Sequence, residues 1–159
     1  MRRTAFAILL TILAATAAHA QRSPWPAPVG SENAPRRVLI AAENTRFKIA
    51  LVERMVTLLD DGNTHVVVVD HSRNGLRGVD PREYSAVFIT NSGARAQVRP
   101  AVLQWLNQVA AHDQNVVLHT TQITNWDPPV QVDSITSASS MGDLNAIADN
   151  LVGRIRRNL

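Results

Sequence analysis

Cysteine is absent from all 159 residues. No disulfide can brace this fold and no thiol can serve as a nucleophile, so stability must come from a buried core. The seven glycines are dispersed, with no Gly-rich Walker loop and no Gly-x-Ser-x-Gly elbow. Nucleoside triphosphate use and a serine-hydrolase nucleophile of that type are therefore not indicated. Like charges never run to five in a row, and His65, His71, His112 and His119 lack metal-ligand spacing. These absences argue against a polyanion-binding stripe and against a metal site.

The composition that is present, 45% hydrophobic and 18% charged, is that of one folded domain. Its ends qualify that picture. Arg2 and Arg3, an apolar run from Ala5 to Ala15 and the small-x-small ending Ala18-His19-Ala20 make the three parts of a secretory signal peptide. Residues 1–20 are accordingly expected to be cleaved, their apolar stretch being shorter than the ~20 residues a spanning helix needs. No later segment approaches that length. The expected product is exported, periplasmic in a Gram-negative cell, with no membrane span after cleavage. Without Arg2 and Arg3 the 16 basic residues become 14 against 13 acidic ones, and the nucleic-acid reading suggested by the raw pI is withdrawn. Residues 21–35 hold Pro24, Pro26, Pro28 and Pro35, a composition that continues neither helix nor central strand and reads as a flexible, extended tether.

From Arg36 to Leu159 the hydrophobic period alternates. Val38–Ala41, His65–Val69, Ser85–Thr90 and Asn115–Thr120 are continuous apolar runs of the kind found in strands covered on both faces, and Val132–Thr136 is a fifth candidate. Between them, Phe47, Leu51, Met55 and Leu58 recur at helical spacing. So do Val102, Leu103, Leu106, Val109 and Ala110 after Pro100, and Leu144, Ile147, Leu151 and Ile155 after a Ser140/Asp143 capping pair. Arg154, Arg156 and Arg157 suit the last helix's C-terminal dipole. This pattern predicts an α/β domain with a mostly parallel sheet. The ten residues from Gln122 to Gln131 are too few for a helical crossover of ~10 to 12 residues plus its turns. A fourth helix is therefore expected to be missing.

Arg37-Val38-Leu39-Ile40 followed by a polar loop and helix, with Glu83-Tyr84-Ser85-Ala86-Val87-Phe88-Ile89 at the third strand, resembles flavodoxin-like proteins. Phe47–Val52 and Val132–Ser139 are also similar to exported bacterial proteins of that fold without an assigned activity. The resemblance implies a doubly wound five-stranded sheet of order 2-1-3-4-5, with a ligand crevice at the strand C-terminal ends between the first and third strands. The ThuA-like fold is a rival, echoed by Thr90–Gly93, Val117–Thr121 and Asn125-Trp126.

The loops at that crevice supply the candidate ligand-binding residues Asn44, Thr45, Arg46, Asn91, Ser92, Gly93, Arg95, Thr120, Thr121 and Trp126. Hydroxyls, amides and arginines near a helix N-terminus can hold a phosphate or carboxylate. The same residues also suit a helix cap and a turn. The resemblance further implies a flavin phosphate loop rich in Ser, Thr and Gly after the first strand. Here Ala41 to Lys48 has no glycine and carries Glu43. The sequence expectation is therefore a protein without tight flavin binding, with no assigned catalytic residue, whose polar strand ends take a small anion or an envelope partner. An FMN-binding electron-transfer protein is the alternative, and an enzyme using His119 with a nearby hydroxyl a more distant one. Asp133–Ser140 also resembles the stretch that carries flavin covalently on threonine, with Ser137 at its glycine and Ser139 at its acceptor. The competing account is a strand end entering a helix cap.

Overall fold

A computed structural model describes residues 23–93, 98–109, 115–122 and 128–159. The β-branched runs form five strands, β1 (Arg36–Ala42), β2 (Thr64–Asp70), β3 (Ala86–Ser92), β4 (Val116–Thr121) and β5 (Asp133–Ser137). They lie in the order β2-β1-β3-β4-β5 with every neighbour parallel. Val38 stands opposite Val66 on one side and Ala86 on the other. Further along the sheet, Thr90 meets His119 and Thr120 meets Thr136.

Because side chains alternate along a strand, each run feeds two cores. Val38, Ile40, Val66, Phe88 and Val117 face one side, where α1 (Arg46–Leu59) and α3 (Leu144–Arg156) bury Leu51, Met55, Leu151 and Ile155 against them. Leu39, Val87, Ile89 and Leu118 face the other side, under α2 (Pro100–Val109) with Val102, Trp105 and Leu106. Among the described residues, the apolar positions read at helical spacing are buried or partly buried against the two cores in all three helices, and Ala110 lies outside the described residues. Two connections contain no α-helix among the described residues. The β2–β3 connection has only the single-turn 3-10 helices His71–Arg73 and Pro81–Glu83, and the β4–β5 connection is irregular where it is described.

Several local expectations change in the folded chain. β3 and β4 run on into Asn91, Ser92 and Thr121, residue types that read as a turn in the sequence but are held here by pairing across the two strands. At the start of α3, Asp143 makes no side-chain cap hydrogen bond, which corrects the expected Ser140/Asp143 cap. Its backbone, φ −98° and ψ 1°, is not the extended conformation that turns a cap side chain back onto the helix N–H groups. The terminal arginines do more than meet a dipole: Arg154 pairs with Asp133, and Arg156 Nη2 donates to the Leu58 carbonyl at 2.7 Å.

The proline-rich segment is irregular in backbone but packed against the domain. Trp25 is 8% exposed within the α1/α3 core, and Val29 forms an antiparallel bridge with Val66 on edge strand β2 through N–H···O bonds of 3.2 and 2.9 Å.

Candidate functional site

β1 and β3 are adjacent, yet β1 leads to a helix on one face and β3 to a helix on the other. A crevice opens where the two chains part. At that point the residue after β1, Glu43, is 2% exposed, and Lys48, three residues after the Thr45 cap of α1, is 1% exposed. Lys48 Nζ donates to Glu43 Oε2 at 2.5 Å and to Ser92 Oγ at 2.5 Å, while Ser92 Oγ donates to the same carboxylate oxygen at 2.5 Å. Arg99, immediately before α2 and about half exposed, forms an ion pair with Glu43 Oε1. One carboxylate is thus surrounded by two cations and a hydroxyl.

Burial alone would push the Glu43 carboxyl up, but the hydrogen bonds from Lys48 and Ser92 outweigh it and hold the group below the ordinary carboxylate value. Burial pushes the Lys48 ammonium down, opposed by the Glu43 hydrogen bond and charge. Both groups stay ionised as a buried pair. Such a pair is costly to break, because the survivor is left as an uncompensated charge in the interior.

Behind this pair runs a second polar chain. The Thr90 hydroxyl is 3.0 Å from His119 Nδ1, and His119 Nε2 is 2.8 Å from Ser137 Oγ. Thr90 is fully buried. Ser137 Oγ also lies 3.3 Å from the Ala138 carbonyl, so each ring nitrogen of His119 faces one hydroxyl. The ring holds the Thr90 and Ser137 hydroxyls in place across β3, β4 and β5. Burial, with Lys48 nearby, pushes His119 down to about 3, so the ring is neutral.

The sequence-derived residues divide into distinct roles. Thr45 caps α1, its Oγ1 accepting from the Lys48 N–H at 3.4 Å, and its own N–H donates to the Glu43 carbonyl at 2.8 Å. The open donors of that first turn are the Arg46 and Phe47 N–H groups. Asn44 and Arg46 are exposed beside the crevice. Ser92 joins the Glu43 cluster, but Asn91 is buried, with Oδ1 accepting from the Arg99 N–H at 3.1 Å. The Gly93 N–H is occupied by the Thr121 carbonyl at 3.0 Å, so it is not a free anion donor. A Cβ there would meet the Gln122 side chain at 2.5 Å. Thr120 and Thr121 are both buried, and Thr121 Oγ1 donates to the Asn91 carbonyl at 3.4 Å. Arg95 and Trp126 lie outside the described residues. Ser137, compared with a flavin-carrying pattern, ends β5 on the His119 chain, with Ser139 exposed beyond it.

Lys48 and Arg99 are the residues that sequence reasoning missed. The signal for Lys48 was available: it is the chain's single lysine and falls in phase with Val52, Met55 and Leu59 on the buried stripe of α1. Among the described residues, no three His, Cys, Asp or Glu side chains converge as a metal site would require, and no helix is long and apolar enough to cross a membrane.

No protein-family model matches the chain, and no curated protein matches it. Among solved structures, it is similar to a flavodoxin from the domain Archaea, with a TM-score of 0.54 at 11% identity, over 77% of this chain and 98% of that one. It is also similar to a metal-soaked Flv1 flavodiiron core from Synechocystis, with a TM-score of 0.47 at 5% identity, over 77% of this chain and 36% of that one. The archaeal likeness, with the strand order, gives the fold as flavodoxin-like.

Proposed function

We propose that this chain is an exported flavodoxin-like binding protein that does not hold FMN in the flavodoxin manner. Its strand-end crevice takes a small anion, or an acidic side chain of an envelope partner. The observation that carries the reading is Glu43. Its buried carboxylate lies in the first strand-to-helix turn, where an anionic ligand would otherwise collect the Lys48, Ser92 and Arg99 donors. A phosphate entering that turn would meet a like charge already supplied with donors, and a glycine-free loop that does not let the backbone wrap closely. The residues present do not fit a flavin phosphate.

Glu43 and Lys48 cancel in charge. Half-exposed Arg99 and exposed Arg46 then leave the mouth positive, which favours an anion there over a cation.

Three measurements test this. N-terminal sequencing of the protein recovered from the cell envelope is expected to begin at Gln21. The visible spectrum of that material is expected to show no flavin band, and a stoichiometric yellow chromophore would overturn the reading. Titration with acetate or phosphate, followed by amide NMR, is expected to move Arg46 and Ser92 and to lose that response in the Arg46→Ala/Arg99→Ala double variant. Equal responses in both proteins would remove the anion assignment.

A further inference from the structure

A parallel crossover normally lays a helix on the sheet. The β2–β3 connection instead lays two single 3-10 turns there, and a cleft of about 530 Å³ remains between that connection and α2. This is within the range of about 300 to 1,000 Å³ typical of small-molecule sites. Leu76, Val79 and Pro81 form one wall, and Val102, Trp105 and Val109 the other. The Trp105 indole N–H donates to the Val79 carbonyl at 3.1 Å, which ties the two walls together.

Among the described residues, two polar groups of the cleft keep unfilled hydrogen-bonding capacity. His71, 5% exposed, lines it and places Nε2 2.9 Å from the Thr90 carbonyl. A carbonyl only accepts, so Nε2 carries the proton and Nδ1 keeps a lone pair. Among the described residues nothing donates to that nitrogen. Burial pushes His71 down, so the ring is neutral and the lone pair is available. Arg77, also lining the cleft, is exposed and has no carboxylate partner among the described residues. Asp80, which also lines the cleft, is engaged by Arg82 at 2.7 Å. The cleft therefore presents apolar surface from both walls set among Asn74, Asp80, Gln104 and Gln108, with one fixed acceptor at His71 and, at Arg77, a cation without a carboxylate partner among the described residues.

We propose that this cleft binds a small aromatic carboxylate bearing a ring hydroxyl, with the ring against Trp105, the hydroxyl donating to His71 Nδ1 and the carboxylate facing Arg77. The site is separate from the strand-end crevice and does not depend on how that crevice functions. The probe is 4-hydroxybenzoate, titrated into the purified protein with the Trp105 indole N–H followed by NMR and assigned with Trp105→Phe. A saturable shift at millimolar concentration or below is expected. Benzoate, without the donor, and phenol, without the anion, are each expected to bind about tenfold more weakly. Arg77→Gln is expected to erase the preference over phenol. Ala101→Trp, on the exposed flank of α2 at the cleft, is expected to abolish binding with the melting temperature retained. The Arg46→Ala/Arg99→Ala protein is expected to bind as the parent does. Equal affinity for the three probes, no saturable shift at Trp105, or shifts confined to Ser92 and Arg46 would each overturn the proposal.

Discussion

At the scale of single residues, buried polar groups set the character of the strand ends. His119 is the clearest case, because burial holds its pKa near 3 while the unfolded chain titrates near 6.5. Between those values the unfolded state binds the additional proton and the native state does not, so stability must fall as pH drops from about 6.5 towards 3, by about 1.4 kcal/mol per unit. Urea denaturation across this window is expected to show at least that slope, because burial also holds His71 down, and His119→Gln is expected to reduce it by about 1.4 kcal/mol per unit even if its stability at neutral pH is lower. An unchanged slope would mean that the ring is protonated in the native state. The sequence marks His119 as a histidine in an apolar strand, but does not show that its two nitrogens meet Thr90 and Ser137. That pairing comes from register across three strands. Glu43 was legible as a charge unfavourable to phosphate, whereas the Lys48 that pairs with it was hidden among apolar neighbours.

At the scale of elements, the valine- and leucine-rich runs were readable because strands covered on both faces require apolar side chains at nearly every position. Their C-terminal limits were not. Asn91, Ser92 and Thr121 look like loop residues until each is bonded to its neighbouring strand. The helix caps separate local chemistry from appearance. Thr45 has the extended backbone and accepts the Lys48 N–H, and it precedes the helix that positions Lys48 for Glu43. Thr45→Ala is expected to cost about 1 kcal/mol, whereas Ser140→Ala is expected to cost nearly nothing, because no side-chain cap forms at Asp143. Chemical denaturation of the two variants makes the comparison. Equal losses would show that the α3 cap forms in solution after all.

At the scale of the whole molecule, the proline-rich segment belongs energetically to the domain it precedes. Its prolines exclude regular structure, and that much is visible in the sequence. What composition does not convey is that Trp25 enters the α1/α3 core, or that Val29 pairs with the edge strand β2. Both contacts depend on the turn at Gly30, where φ is +77° and a Cβ would stand 2.1 Å from the Thr64 carbonyl oxygen. That carbonyl is backbone and cannot swing aside as a flexible side chain could. Gly30→Ala is therefore expected to release the segment, with a loss of about 3 kcal/mol if Trp25 leaves the core as a truncated tryptophan would. Proteolysis within residues 23–35 should quicken, and so should hydrogen exchange at the Val66 amide, which donates to Val29 at 2.9 Å. Gly62→Ala provides the control, because Gly62 has a similar φ of +76° but open space around its Cβ position. It should show only the left-handed backbone penalty of about 1 to 2 kcal/mol, with Val66 exchange unchanged. If the two variants behave alike, backbone conformation alone accounts for both and the docking of the segment contributes little. If Gly30→Ala alone frees Val66, the edge of β2 becomes open to pairing, and concentration-dependent self-association should follow.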